Sequence, residues 1–497
     1  MSVAISRRTE RIGSTALACG WILSALGLCA ALIVVAYPSA WSVGAELWLA
    51  VIGATLVGIG SVRLCLTRVG RLGPVRWARI GPMFGGYTTV AFGLFSLGWL
   101  VPQQGIAGII EPAMIPVGVA WFTFGLGSWT LGYMIGGPRV LARGLSDVVA
   151  WIFPGRSWTF RYPSAPVAVY LVGAAARFYL LRTGNYGYLQ GPSTVPGGFG
   201  HVMGLIANFA SIGLVMAAID AFAVSQSFRS KAVLAGLLAV EVANGLFVGS
   251  KQSVVLSIFS VGLVYVFSTG RVPRRAAAGI VLAVVLVFPL VSTYRTSIQG
   301  QGSVSSSPVG AAKELVHTLG DSSAYLSPNV VLVESPAAIA RRLREIDNVA
   351  LILQKSPGSI PYKPWTDLVV DPAIDWVPRF VWPGKPVLST GGFFSHTYYD
   401  LPTSMPTASA VTIPGDLLRH GGAVPLIVGM FMLGVLMAMF DVAVDPAIDV
   451  RRLVLFIPLL VSCVKSESGT TVLLVGIVDL FVAVAVVSRL AFACSAS

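Results

Sequence analysis

Runs of about twenty consecutive apolar residues recur along almost the whole of this chain, and that is the length a helix needs to cross a ~30 Å hydrocarbon core. Such runs lie at roughly 14–36, 43–62, 82–101, 113–135, 165–183, 200–224, 232–249, 252–268, 277–295, 421–440, 453–466 and 471–490. They predict an all-α, polytopic integral membrane protein of about 12 transmembrane helices. Hydrophobic residues make up 55% of the 497 and charged residues 11%, far from the balance of a water-soluble domain. The runs leave one gap. Residues 1–295 read as a bundle of nine spans, 296–420 as a single large loop with short helices, and 421–497 as three more spans of the same membrane domain.

Orientation is read from where Arg and Lys fall in short loops. Arg7, Arg8 and Arg11 precede the first span, Arg63, Arg68, Arg71, Arg76 and Arg79 lie between the second and third, and Arg139, Arg143, Arg156 and Arg161 follow the fourth. Arg229 and Lys231, Arg271, Arg274 and Arg275, and Arg451 and Arg452 have the same parity; loops of the other parity hold little beyond Lys251 and Lys465. The expectation is a multi-pass protein of the plasma membrane with both termini cytoplasmic and 296–420 extracytoplasmic. The formal charge of +13 then records topology, not nucleic-acid binding. The first span is too long for a cleaved signal peptide and reads as a retained anchor. Five cysteines, all in spans or on the cytoplasmic side, give no disulfide framework.

The loop opens with a Gly/Ser-rich stretch, Gln299 to Ser307, expected to be flexible. Helical patterns follow at about 309–320 and 336–355. In the second, Ile339, Leu343, Ile346, Val349 and Leu353 form an apolar stripe suited to packing across the top of the bundle or lying at the lipid interface. From Ser359 to Pro414 the chain is irregular and rich in Pro, Trp and Tyr, too long to be an idle connector.

Cations stand out at the loop-side ends of spans. Arg177 lies within the fifth span, Lys251 begins the eighth, where free backbone N–H groups already favour an anion, and Arg295 ends the ninth. Arg379 and Lys385, in VPRFVWPGKP, can join them from the loop. A set of fixed cations suits a diphosphate; singly, each is also a normal anchor to lipid head groups. Groups able to move a proton are His396, Asp416, Lys465 and Glu467, of which His396 and Asp416 are the alternative general-base candidates. The four histidines show no metal-ligand spacing, so no metal is expected. Glu241 and Asp479 sit mid-span, where a functional role and an interhelical hydrogen bond are both open. Among the loop aromatics, Trp365, Trp376, Trp382, Phe393, Phe394, Tyr398 and Tyr399, the rings of Trp382 and Tyr398 are candidates to stack on sugars; the alternative is an interfacial aromatic belt.

Taken together, Gly249 to Lys251 at an outer turn, Tyr294-Arg295 at the end of the span before the large loop, Pro378 to Pro386, and Asp416 just before the next span resemble the bacterial oligosaccharide repeat-unit polymerases, the Wzy-type O-antigen polymerases. The resemblance covers about 230–440. It implies a GT-C-like membrane glycosyltransferase that needs neither nucleotide sugar nor cofactor. Its substrate would be a lipid-linked oligosaccharide: a glycan on undecaprenyl diphosphate is moved to the next repeat unit at the outer face. Arg177, Lys251, Arg295 and Arg379 would hold the departing diphosphate. Membrane lipids, a flippase and a chain-length regulator are the partners such an enzyme would have, and nucleic acid is not one. Two other activities share this outline, an O-antigen ligase-like transfer to another acceptor and a polysaccharide or lipid transporter. The sequence departs from the paired Arg-x10-Gly pattern of some polymerases: eleven residues after Arg177, Arg295 and Arg379 stand Tyr188, Ser306 and Thr390.

Overall fold

The computed structural model describes residues 2–69, 75–101, 109–154, 160–183, 199–300, 308–321, 327, 330, 335–386, 388, 390–403, 409–465 and 467–492. Regular structure among them is helical: α1 (Ser2–Ala36), α2 (Val43–Arg68), α3 (Ile80–Thr88), α4 (Met114–Ile135), α5 (Arg139–Ile152), α6 (Ala165–Arg182), α7 (Gly200–Ile219), α8 (Phe228–Phe247), α9 (Lys251–Thr269) and α10 (Arg274–Gly300) form the first part. The loop holds α11 (Pro308–Gly320), α12 (Ser335–Leu343), α13 (Ile346–Lys355), α14 (Asp367–Trp376), α15 (Thr390–Tyr398) and α16 (Ile413–Arg419), and α17 (Ala423–Ala443), α18 (Leu453–Val464) and α19 (Thr470–Ala491) complete the chain. Most of the flexible stretch expected before α11 lies outside the described residues.

Among the described residues ten helical segments are long and apolar enough to cross a membrane, α3 counting with the π and 3-10 turns that continue it to Leu100, and they match all but the ninth and eleventh predicted runs. The ninth lies within the 27 residues of α10. The eleventh forms α18, whose 12 residues rise about 18 Å, short of a bilayer core. Its apolar character has a different cause. Leu453 to Ile457, Leu459, Leu460 and Cys463 are buried, because α18 packs among α3, α7, α9 and α19 in the middle of the protein.

Small residues let the spans close on one another, as apolar lipid provides no hydrophobic drive between them. A Cβ at Gly132 of α4 would stand 2.1 Å from the carbonyl oxygen of Phe431 in α17, and one at Gly173 of α6 would stand 2.0 Å from the amide of Ala210 in α7. Only glycine permits these contacts.

The helix expected over 336–355 is broken. Arg344 and Glu345 leave the helical path because tertiary partners claim them: the Glu345 amide donates to the Ala91 carbonyl, its carboxylate accepts from Tyr87 Oη at 2.7 Å, and Arg344 pairs with Asp347 at 2.8 Å while lying over Trp99. Beyond the break, Ile346, Val349, Ala350, Leu351 and Ile352 are buried as α13 packs on α4, so this half of the stripe seals the bundle. Residues 136–164, read as a loop from sequence, contain the amphipathic α5, with Val140, Leu141 and Trp151 exposed on one side.

Two ends of the bundle can be told apart. One carries α12 to α16 and is called the loop face below. At the other, Arg79 forms a buried 2.5 Å ion pair with Asp445, and Asp441 accepts from the Ile80 and Gly81 amides at the start of α3 and from Tyr133 Oη. Arg451 donates there to the carbonyls of Phe153 and Pro154.

Candidate functional site

The five cations expected to share one layer take three different positions. Arg177 is committed within the spans: Nη1 meets Glu241 Oε1 of α8 at 2.6 Å, Nη2 donates to Ser211 Oγ at 3.0 Å and Nε to the Ala207 carbonyl at 3.2 Å. Glu241 also accepts from Ser257 of α9. The partner of this mid-span carboxylate is therefore Arg177, and each neutralises the other in a place where a lone charge is costly. Asp479 has a partner as well, His201 Nε2 at 3.4 Å.

Arg379 and Lys385 turn back on their own loop. Arg379 donates to the Lys385 carbonyl at 2.6 Å and the Pro386 carbonyl at 3.2 Å. Lys385, 7% exposed, donates to the Asp375 carbonyl at 2.6 Å and the Val377 carbonyl at 3.1 Å, with the Asp375 carboxylate at 3.2 Å.

Lys251 and Arg295 do come together. Ser250 caps α9, its Oγ accepting from the Ser253 amide, so Lys251 stands at a helix N-terminus. The Lys251 ammonium donates to Ser292 Oγ of α10 and lies 3.4 Å from the centre of the Phe288 ring. Arg295, one turn along α10, is near enough to act on its charge, and so is Arg342 of α12. Arg342 in turn pairs with Glu467 at 2.8 Å and acts, with Glu467, on Lys465, in the turn between α18 and α19. Lys251 with Arg295, and Lys465 with the Arg342–Glu467 pair, thus lie at the loop-face ends of α9, α10 and α18. Glu345, which acts on Tyr87 together with Glu467 and Arg342, adds a second carboxylate, and the excess of cations over carboxylates suits an anion.

Arg342 carried no sequence signal of this kind. Only packing of α12 on α10 brings it here. Lys465 and Glu467 were visible as a charged turn, without their neighbours.

The base candidates are placed differently. Asp416 is 1% exposed and both its oxygens are taken: Oδ1 by Arg419 Nε at 2.6 Å, Oδ2 by the Thr470 amide at 2.7 Å and the Thr470 hydroxyl. It caps α19 from α16, a structural duty. Burial pushes its carboxyl up, but Arg419, the Thr470 hydrogen bond and His420 together outweigh burial and hold it below the usual carboxylate range. His420 Nδ1 donates to the Asp416 carbonyl at 2.6 Å, and burial lowers its pKa despite that bond, which favours the neutral ring. His396 Nδ1 donates to the Leu401 carbonyl at 3.0 Å. Tyr398, expected to stack on sugar, is 2% exposed, with its ring against Phe394 and its hydroxyl on Ser356, so its faces are covered. Trp382 is exposed.

Both shifts at α16 make acid destabilising. A depressed Asp416 contributes stability that is present above the ordinary carboxylate value and lost as pH falls through the lower folded value. A depressed His420 is protonated first in the unfolded chain, so its loss starts as pH falls below about 6.5. Detergent-purified protein should therefore unfold at progressively lower temperature below that pH, and His420→Gln should remove the early part of the decline; parallel curves for the two proteins would show that His420 plays no part.

No curated protein and no solved structure matches this chain. A family model described as a Domain of unknown function (DUF8712) matches residues 193–444, which is just over half of the chain and runs from α7 through α17, taking in Lys251, Arg295 and Arg342. The chain belongs to that family, the domain of unknown function DUF8712.

Proposed function

We propose that this protein is a membrane glycosyltransferase that polymerises undecaprenyl-diphosphate-linked oligosaccharide repeat units, working at the loop face on the outer side of the plasma membrane. The observation that carries the reading is Lys251 at the N-terminus of α9, held against Ser292 and Phe288 of α10 one turn from Arg295, with the Arg342–Glu467 pair on the same face. A polyprenyl diphosphate keeps its tail in hydrocarbon and its charge at the membrane boundary, which is where these cations stand.

In the reaction, the bond from the sugar's anomeric carbon to the diphosphate oxygen breaks, a bond from that carbon to the acceptor hydroxyl oxygen forms, and the hydroxyl proton goes to a base. Lys251 and Arg295 hold the diphosphate and stabilise the charge it gains on leaving. Glu467 takes the proton. Its pairing with Arg342, whose side chain is 51% exposed, gives the two steps a link: as Arg342 turns to the diphosphate, Glu467 loses its counter-charge and becomes a better base.

The transporter reading draws less support. A transport path needs charge available at mid-depth, and there Arg177 and Glu241 satisfy one another. The deciding experiment is reconstitution of the purified chain in liposomes with undecaprenyl-diphosphate-linked repeat units. A ladder of longer glycans on the carrier, with release of free undecaprenyl diphosphate, is the expected result. Transfer of single units to a different acceptor would make it a ligase, and passage of intact units across the bilayer a transporter. In whole cells a Ser359→Cys chain should react with a membrane-impermeant maleimide; reaction only after lysis would put the loop face inside.

A further inference from the structure

From Asp367 to Pro386 the chain is turned inside out relative to a loop in water. The exposed positions are Val369, Val370, Ala373, Trp376, Phe380, Val381, Trp382, Pro383, Gly384 and Pro386, with no polar side chain among them, whereas Asp367, Asp371, Asp375, Arg379 and Lys385 are half-buried or buried. On α14 this is helical geometry: Asp367, Asp371 and Asp375 recur every fourth residue on one face, while Val369, Val370 and Trp376 point the other way. A contiguous apolar surface of this size is a contact surface.

The packing shows where that surface lies. α14 rests along α19, a membrane span whose own outward residues Val472, Val478 and Val482 are exposed. Near its end, Phe380 stacks on Phe199 at the start of α7 at 5.9 Å, and Asp375 and Lys385 act electrostatically on His201, which pairs with Asp479. Asp479 is nine residues into α19, about 13 Å along it, and the ten residues of α14 rise about 15 Å. The segment therefore runs beside α19 from its N-terminus toward Asp479, and its far end meets the loop-side end of the span α7.

We infer that residues 367–386 form a re-entrant loop immersed in lipid acyl chains, and that VPRFVWPGKP is built to survive there. Irregular backbone in hydrocarbon is excluded unless its polar groups are satisfied internally. Prolines at 378, 383 and 386 delete three N–H donors from the loop. The amides of Val381 and Trp382 return to the Pro378 carbonyl, and that of Lys385 to the Trp382 carbonyl. Four further carbonyls, those of Asp375, Val377, Lys385 and Pro386, receive the N–H groups of Lys385 and Arg379. The two cations serve the loop's own backbone, and the tryptophans and Phe380 face lipid.

The test uses the full chain in proteoliposomes, with the native cysteines replaced by Ala and a nitroxide on a single introduced cysteine at Val370, Val381 or, as the aqueous control, Ser359. Collision with oxygen should be high at Val370 and Val381, and collision with the polar relaxant NiEDDA about tenfold lower than at Ser359, because a polar solute is excluded from hydrocarbon. NiEDDA access at Val381 equal to that at Ser359 would place the loop in water and overturn the inference. Exclusion of both relaxants would overturn it too, by showing a second protein surface over the patch. Adding Lys385→Met to the Val381 chain uncovers the Asp375 and Val377 carbonyls and should raise NiEDDA access there. Unchanged access in a chain that is still folded would refute the backbone-satisfaction account.

Discussion

An Arg295→Ala chain should insert and fold normally and yet leave cells with single repeat units on the lipid carrier. Lys251→Met should do the same. On the proposed chemistry both residues act on charge that develops as the diphosphate leaves, so the loss falls mainly on kcat, by about 10²- to 10³-fold for each, the size seen when one donor to a developing oxyanion is removed. Full-length polymer from both variants, at wild-type abundance in the membrane, would dismiss the diphosphate site. Glu467→Gln adds a distinction. A carboxylate that only holds Arg342 in place loses its ion pair and little more, whereas a base that accepts the acceptor's proton loses turnover while binding of lipid-linked substrate persists.

Asp416→Ala should act on stability instead of chemistry. It strands Arg419 as a buried cation and removes the Thr470 cap, and breaking one side of a buried pair costs about 3–5 kcal/mol. The unfolding midpoint in detergent should drop accordingly. In the double variant Asp416→Ala with Arg419→Met, the stranded charge is gone and much of the loss should return, leaving the cap contribution of about 1 kcal/mol. An Asp416→Ala protein with wild-type stability and no polymerising activity would move Asp416 from the scaffold into the chemistry.

Membrane character was legible in the sequence because it rests on a length rule, about twenty apolar residues for one hydrocarbon thickness, and ten of the expected runs are helices of that kind. At 453–466 a run of apolar residues looks alike whether it meets lipid or a protein interior, and α18 meets protein. The place of Lys251 was readable too. So short a connection as Gly249 to Gln252 leaves little choice but a helix N-terminus for it.

Arg79 and Arg451 lie among the loop cations that mark orientation, yet the structure buries both as clamps between distant segments, on Asp445 and on the carbonyls of Phe153 and Pro154. Their residue type was informative and their role was not, because Asp445 lies hundreds of residues from Arg79 and the carbonyls that take Arg451 leave no trace in a sequence. The same applies to Arg379 and Lys385, whose partners are mostly backbone oxygens.

By itself the sequence determined that this chain folds as membrane-spanning helices, and it placed cations at the ends of those helices on the side of the large loop. Both follow from the cost of apolar surface in water and of charge in lipid, which act on each residue wherever it sits. Which cations stand together was decided only by the tertiary structure. Arg177 is drawn to Glu241, Arg379 and Lys385 to their own loop, and Arg342 is carried on α12 to Glu467. A charge goes to the partner that best offsets its desolvation, and that partner is fixed by packing between segments far apart in the chain.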